Sequence, residues 1–208
     1  MNKKRVILNV IFFGAIWGIL EATLGYVLHW MPNMIQGGIM FPIGAILMFW
    51  AYRNTNSKTA IIYVGLIAAM IKAVNFLMPY PMALKIYNPM ISIMIQALVI
   101  FATVLVFEKK TFPVQVGAAM LSSLVWRSLF IVNQVINRAI TGFPHGQLAS
   151  SDALLSFIFI NAIFEILLLG ALFTARYFLS KKVKWSFTPH WLVSLSTFAA
   201  AIILVLVL

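Results

Sequence analysis

The segment at residues 64–79 reads VGLIAAMIKAVNFLMP, an apolar run that is interrupted by Lys72 and Asn75. On insertion scales, a lysine near the middle of a bilayer costs about 2.5–3.5 kcal/mol when nothing neutralises it. A chain that keeps such a lysine inside a hydrophobic segment must therefore supply an acidic partner from another segment. This requirement predicts a bundle of helices whose charged side chains meet in the interior.

The composition of the whole chain predicts a membrane protein. Hydrophobic residues make up 63% of the 208 residues and charged residues only 9%, whereas a soluble domain carries about 25% charged residues. Several apolar runs reach the roughly 20 residues that a helix needs to cross the hydrocarbon core. We therefore predict an all-α fold, a polytopic transmembrane helical bundle that forms one integral membrane domain over residues 1–208.

Hydropathy predicts about seven spans, or six if the last apolar run does not cross. Loop charges set the orientation, because Lys and Arg accumulate in cytoplasmic loops. With the N-terminus inside, the outer loops keep only Lys85 and Arg138, and the inner segments hold the other loop cations. The N-terminus is therefore predicted to be cytoplasmic, and the protein to lie in the cytoplasmic membrane. The predicted spans are residues 7–29, 37–52, 59–79, 88–107, 113–137, 153–179 and 190–208.

The ionisable residues inside the predicted spans are Glu21, Lys72, Arg127 and Glu165. Counting along each helix at about 1.5 Å per residue places all four near the midplane or slightly toward the outside. Charges that share one layer can pair, so Lys72 and Arg127 are each expected to face one of the two glutamates. The sequence leaves open which pairs form. An ion-paired strut is one interpretation, and a polar site for a solute is the other.

Amide side chains accompany these charges on the third, fifth and sixth spans. Asn75 lies one helical turn outward from Lys72, and Asn161 lies one turn outward from Glu165. Gln134 continues the polar face of the fifth span two turns outward from its arginine. Residues spaced in this way share one helix face, so each of these spans is expected to turn a polar face toward the others.

The fourth span carries Asn88, Ser92 and Gln96 at i, i+4, i+8 spacing, so its polar face runs from the outer end toward the midplane. Asn88 directly precedes Pro89, and a helix cap is the alternative interpretation of this asparagine. The inner half of the spans is almost purely apolar. Polar groups that concentrate in the outer half predict a cavity open to the outside. Amides that only hold helices together are the alternative.

The first span contains FGAIWGILEATLGYVLHWMP at residues 13–32, in which Gly14, Gly18 and Ala22 recur at four-residue spacing. Small residues at this spacing let another helix approach closely. Packing within the chain is one interpretation of this stripe of small residues. Docking of a helix from a separate protein is the other.

The N-terminal NKKRVILNVIFFGAIWG at residues 2–18, the small-residue first helix, the length of 208 residues and the polar outer face resemble a substrate-binding S component of an energy-coupling factor (ECF) transporter. The resemblance implies that substrate is bound near the outer surface. It also implies that Gly14, Gly18 and Ala22 contact a coupling transmembrane subunit, and that separate ATPases drive uptake. The chain departs from the family in its seventh predicted span, since most S components have six. No particular vitamin follows from the resemblance.

The sequence contains no motif for several other chemistries. It has no cysteine, and it has no P-loop, G-x-S-x-G or H-E-x-x-H motif. We interpret His29 and His145 as interfacial polar residues at the outer rim, with a metal or haem site as the remote alternative. We expect no cofactor. We also expect no nucleic-acid partner, because the basic residues lie mostly between the apolar spans.

These features predict the substrate-binding membrane subunit of a transporter that takes up a small, vitamin-like or other polar or amphipathic solute. Lys72 and Arg127 would neutralise an anionic or carbonyl-rich part of the solute. One alternative is an intramembrane enzyme acting on a lipid or isoprenoid, with Glu21 and Glu165 as acid and base. The other is a structural assembly factor whose charges are struts. The candidate substrate-binding residues are Glu21, Lys72, Asn75, Asn88, Gln96, Arg127, Gln134, Asn161 and Glu165.

Overall fold

The computed structural model describes residues 3–28, 33–79, 83–182 and 187–207, and every regular element in those ranges is helical. The π-helical turn Ser156–Ile160 joins α6 and α7 into one rod, so the described chain forms seven rods. The all-α prediction is confirmed. The helices are α1 (Lys3–Leu28), α2 (Asn33–Thr55), α3 (Thr59–Ala73), α4 (Ala83–Phe107), α5 (Phe112–Thr141), α6 (Ser151–Leu155), α7 (Asn161–Lys182) and α8 (Trp191–Val207).

Five helical segments of the described chain are long and apolar enough to cross a membrane. The last helix, α8, is apolar but has only 17 residues. The crossings of α2 and α8 and the orientation of the N-terminus stay predictions. The five segments are Lys3–Gly25, Thr59–Leu77, Ala83–Phe107, Phe112–Thr141 and Ser151–Leu179.

Six of the rods close into a bundle. Around it, α1 contacts α3, α3 contacts α4, α4 contacts α5, α5 contacts α7, α7 contacts α2, and α2 contacts α1. Helix α2 also contacts α3 and α4, so it lies nearest the centre. Helix α8 packs at the periphery, mainly on α1, where Ser194 Oγ donates a hydrogen bond to the main-chain carbonyl of Leu8 at 3.0 Å. The seventh rod is therefore an addition to a six-rod bundle.

The small-residue stripe of α1 is filled from within the chain. A Cβ added at Gly14 would lie 2.6 Å from the Cβ of Ile67, and one added at Gly18 would lie 2.7 Å from Cδ1 of Ile71. Ala22 belongs to an apolar cluster that includes residues of α8. The structure thus matches the interpretation of packing within the chain. Docking of a separate protein's helix against Gly14, Gly18 and Ala22 stays an untested prediction.

Helix α4 begins at Ala83, before the predicted start at residue 88, so Pro89 lies inside the helix. Proline has no N–H, and the main-chain carbonyl of Lys85 therefore lacks its usual helical donor. Asn88 is not the cap of this helix, and that interpretation is wrong. Its side-chain Oδ1 is instead buried without a hydrogen-bond partner.

The turn between α2 and α3 and the turn between α4 and α5 meet at the end of the bundle that is predicted to face the cytoplasm, which we call the inner end. Lys58 Nζ lies 2.6 Å from Glu108 Oε2, and the Tyr52 hydroxyl donates to the other oxygen of that carboxylate. Gln115 Nε2 donates to the main-chain carbonyl of Glu108 at 2.7 Å. These contacts join the two turns. We call the opposite end the outer end.

Candidate functional site

Arg127 of α5 and Glu165 of α7 form a buried ion pair. Arg127 Nη2 and Nε lie 2.6 and 3.0 Å from Glu165 Oε2. The two side chains are 2% and 0% exposed. The indole Nε1 of Trp126 donates to the other carboxylate oxygen at 2.6 Å. The structure thus pairs Arg127 with Glu165, and both oxygens of this carboxylate are engaged.

The π-helical turn Ser156–Ile160 and the first residue of α7 provide further main-chain acceptors for Arg127. A π turn widens the helix and loosens its main-chain bonding. Arg127 Nη1 donates to the carbonyl of Phe157 at 3.0 Å, and Nη2 donates to the carbonyl of Asn161 at 3.2 Å. The guanidinium also lies 5.1 Å from the ring centroid of Trp126 and 5.0 Å from that of Phe157. A cation held by this many contacts favours the strut interpretation for this pair.

Glu21 of α1 and Lys72 of α3 form a looser pair. The charge of Lys72 acts on the Glu21 carboxylate, but within the described residues the two groups do not meet as a contact ion pair. Trp17 Nε1 is buried and has no hydrogen-bond partner in the described chain. Glu21 therefore keeps its capacity to accept hydrogen bonds or to pair with a cation.

A cavity of about 270 Å³ adjoins Glu21 between α1, α2, α4 and α5. We call it the outer cavity. The i, i+4, i+8 stripe on α4 lies along its wall, as the spacing predicts, and two aromatic rings of α5 face this stripe. The wall thus combines one carboxylate, short polar groups and apolar surface. The lining residues are Glu21, Met40, Asn88, Pro89, Ser92, Ile93, Gln96, Trp126 and Phe130.

Buried acceptors on this wall lack hydrogen-bond partners within the described chain. Gln96 Nε2 donates to Ser92 Oγ at 3.0 Å, but Gln96 Oε1 and Asn88 Oδ1 accept no hydrogen bond. A buried acceptor left unpaired costs about 1–3 kcal/mol. Each of these oxygens therefore favours a water molecule or a solute donor in the cavity. Together with the carboxylate of Glu21, they suit a ligand that donates hydrogen bonds or carries positive charge.

The other predicted amides lie around this wall and not on it. Asn75 lies in the 3-10 turn Val74–Leu77 after α3, and its buried Oδ1 has no described partner. Asn161 begins α7, and its Oδ1 is likewise buried and unpartnered. Gln134 Nε2 donates to Gln147 Oε1 at 3.2 Å, which ties α5 to the segment before α6. Helix α3 contributes no lining residue, so neither Asn75 nor the lysine of α3 is on the wall.

The two histidines give no sign of a metal centre. His29 lies outside the described residues. His145 is buried in the connection between α5 and α6, 5.7 Å from the ring of Phe143, and its Nε2 has no described partner. In the described ranges, no group of three or more His, Cys, Asp or Glu side chains is placed to hold a metal ion.

Sequence reasoning does not identify Met40, Trp126 or Phe130 as site residues. Trp126 and Phe130 are four residues apart and share one face of α5, which is a local signal that an aromatic wall adjoins the polar face. Met40 gives no such signal, because its contact with the cavity depends on how α2 packs into the bundle. The structure brings together Glu21 and the α4 stripe, and it places the Arg127 strut directly behind the ring of Trp126.

Comparison with known proteins gives no match: no protein-family model, no curated protein and no solved structure matches this chain. The resemblance to S components therefore rests on the residues of α1 and on the general architecture. What the site binds has to be inferred from its own geometry, above all from the outer cavity and the acceptors on its wall.

Proposed function

We propose that this chain is the substrate-binding subunit of a transporter that takes up a small solute across the cytoplasmic membrane. The observation that carries the proposal is the outer cavity, whose wall joins the Glu21 carboxylate to the unpartnered oxygens of Asn88 and Gln96. Polar and charged groups inside a membrane segment are costly, and they are retained mainly where they serve a pathway or a site. A solute that donates hydrogen bonds here would satisfy all three groups.

The proposed solute carries a positive or donor-rich group on an apolar or aromatic body. A cavity of about 270 Å³ lies near the lower end of the range for ligand pockets, so the solute is small. Among the described lining residues, Glu21 is the charged one, and Trp126 and Phe130 offer aromatic faces. This differs from the expectation that Lys72 and Arg127 neutralise an anionic group, because neither lines the cavity and Arg127 is held by the ion pair.

The proposed uptake depends on other proteins. The chain has no P-loop, so ATP-driven transport requires ATPases and a coupling transmembrane subunit supplied by other proteins. We place their contact on a face other than the Gly14 and Gly18 stripe, which α3 occupies. The purified chain is therefore expected to bind the solute without transporting it actively. Active transport by the chain alone in sealed vesicles would contradict this part of the proposal.

The alternatives account for less of the site. Glu165 is 0% exposed and both its oxygens are engaged, so it is poorly placed to exchange protons with a molecule beside Glu21. This weighs against the proposed acid–base pair of an intramembrane enzyme. An assembly factor explains the Arg127 strut but gives no reason for unpartnered acceptors on a cavity wall. A bound solute accounts for these acceptors, and the Arg127 strut is compatible with it because the strut lies outside the cavity lining.

Glu21→Gln is expected to weaken binding of a small aromatic ammonium ion at least about tenfold, because a charge-assisted hydrogen bond contributes roughly 1.5–3 kcal/mol. Native mass spectrometry of the detergent-purified protein would first show whether a small molecule is already bound. Titration with tryptamine, and with indole-3-acetate as the matched anion, would then measure the preference for a cation.

Gln96→Leu provides a second variant on the same wall, and Thr103→Val provides the control. Thr103 lies on the same helix, bonded to its own backbone and away from the outer cavity, so its replacement should leave tryptamine binding unchanged. The proposal is overturned if the wild type retains no small molecule and binds neither probe. It is also overturned if folded Glu21→Gln and Gln96→Leu proteins bind like the wild type.

A further inference from the structure

A second cavity of about 280 Å³ lies at the inner end of the bundle, between α2, α4, α5 and α7. We call it the inner cavity. It shares no lining residue with the outer cavity and plays no part in the proposed uptake site. Its wall is rich in aromatic rings, and it carries two arginines, Arg53 and Arg176. Both arginines are inner-loop charges in the sequence, and the structure places them on one cavity wall.

The two arginines have no carboxylate partner in the described chain. The acidic residue on the wall, Glu108, is held by Lys58 at 2.6 Å and by the hydroxyl of Tyr52. Arg53 and Arg176 form no ion pair with any described residue. The inner cavity thus presents two positive charges, and the carboxylate on the same wall already has a cation and a hydroxyl as partners.

Aromatic packing holds one of these charges in place. The guanidinium of Arg176 lies 4.2 Å from the ring centroid of Phe49. On the same wall, the rings of Phe112 and Tyr177 stack with their centroids 3.8 Å apart. The positive charge of Arg53 acts on Arg176. Arg176 is half-buried and Arg53 is exposed at the mouth of the same cavity, and like charges on one wall repel each other. An anion between them would relieve the repulsion.

We propose that the inner cavity binds a phosphate group attached to an apolar body, with Arg53 and Arg176 as its cationic ligands. The planar guanidinium matches phosphate oxygens in two-point hydrogen bonds, which a lysine does not provide. The rings of Phe107 and Phe112 on the wall accept the apolar part. Two sources share this chemistry. One is an anionic phospholipid, whose headgroup lies at the depth where a membrane-spanning bundle ends. The other is a small water-soluble phosphate ester.

Native mass spectrometry in detergent micelles tests the site, with phosphatidylglycerol as the lipid probe, phosphatidylcholine as its zwitterionic counterpart and phenyl phosphate as the soluble ester. The wild type is expected to retain phosphatidylglycerol or phenyl phosphate, and Arg53→Gln/Arg176→Gln is expected to lower that retention at least about tenfold. Lys109→Gln/Lys110→Gln is the matched control. It removes two exposed charges from the same end, outside the cavity, and should leave retention unchanged.

The probes distinguish the sources. Retention of phosphatidylglycerol over phosphatidylcholine, with little phenyl phosphate, identifies a lipid, and the reverse identifies a soluble ester. The proposal is overturned if neither probe binds the wild type, or if both double variants lose binding equally. Replacing Arg176 also removes its contact with Phe49. Val116→Trp therefore serves as a second variant, because it fills the cavity without changing the charge. It should also lose binding while thermal unfolding stays cooperative, and wild-type retention by this variant would place the ligand elsewhere.

Discussion

Glu165→Gln is expected to lower the free energy of unfolding by about 3–5 kcal/mol, because it leaves the Arg127 guanidinium buried without its counterion. The Glu165 and Arg127 side chains are 0% and 2% exposed, so water cannot solvate the unpaired guanidinium. The new amide would also direct N–H donors at Arg127 or at the indole N–H of Trp126, which now donates to the carboxylate. Thermal unfolding in one detergent, followed by circular dichroism, measures the difference.

The double variant Arg127→Met/Glu165→Leu separates the cost of an unpaired charge from the loss of packing. Replacing a buried ion pair by apolar side chains of similar volume is often neutral or stabilising, so the double variant should recover most of the stability that Glu165→Gln loses. Glu108→Gln is the exposed comparison, since Lys58 and Glu108 are about a third exposed and such pairs contribute about 0–1 kcal/mol. Equal, small effects of Glu165→Gln and Glu108→Gln would contradict the strut interpretation.

Helices and their polar faces are largely predictable from this sequence because both are local properties. Each apolar run corresponds to one rod, and the spacing of Asn88, Ser92 and Gln96 correctly places them along one wall. Helix ends are less predictable. Proline is over-represented at the first position of a helix, but α4 begins earlier, at Ala83, and packs against α3 and α5. The sequence therefore shows a cap where the structure has a proline inside a helix.

The site itself is only partly predictable, because its key contacts join distant segments. Arg127 and Glu165 are 38 residues apart in the chain. The π-helical turn Ser156–Ile160 gives the arginine a further acceptor, and no residue pattern in that segment marks it as different from an ordinary helix. The inner cavity gives no signal at all. Arg53 and Arg176 belong to different helices and read along the sequence as loop charges that set the orientation. Only the closed bundle brings them to one cavity.

Gly65→Leu is expected to disrupt the contact between α3 and α4, with Gly65→Ala as its milder form. A Cβ added at Gly65 would lie 2.5 Å from the Cβ of Ala97, which is itself 0% exposed. The two helices must therefore move apart, and overpacking of this kind typically costs about 1–3 kcal/mol for a small group and more for a large one. Gly117→Ala is the control. Nothing lies within 4 Å of a Cβ there, and the change should gain up to about 1 kcal/mol from helix propensity.

The exchange Gly65→Ala/Ala97→Gly tests the contact most sharply, because it moves one methyl group from α4 to α3 and restores the space between them. Its free energy of unfolding, measured by thermal unfolding, should return to within about 1 kcal/mol of the wild-type value. Equal instability of this double variant and Gly65→Ala would contradict the packing of α3 on α4. Ala97 directly follows Gln96, which lines the outer cavity, so the displaced helix also displaces the cavity wall. Tryptamine binding should therefore fall with Gly65→Ala and return with the exchange, which would tie the close approach of these two helices to the capacity of the cavity to bind.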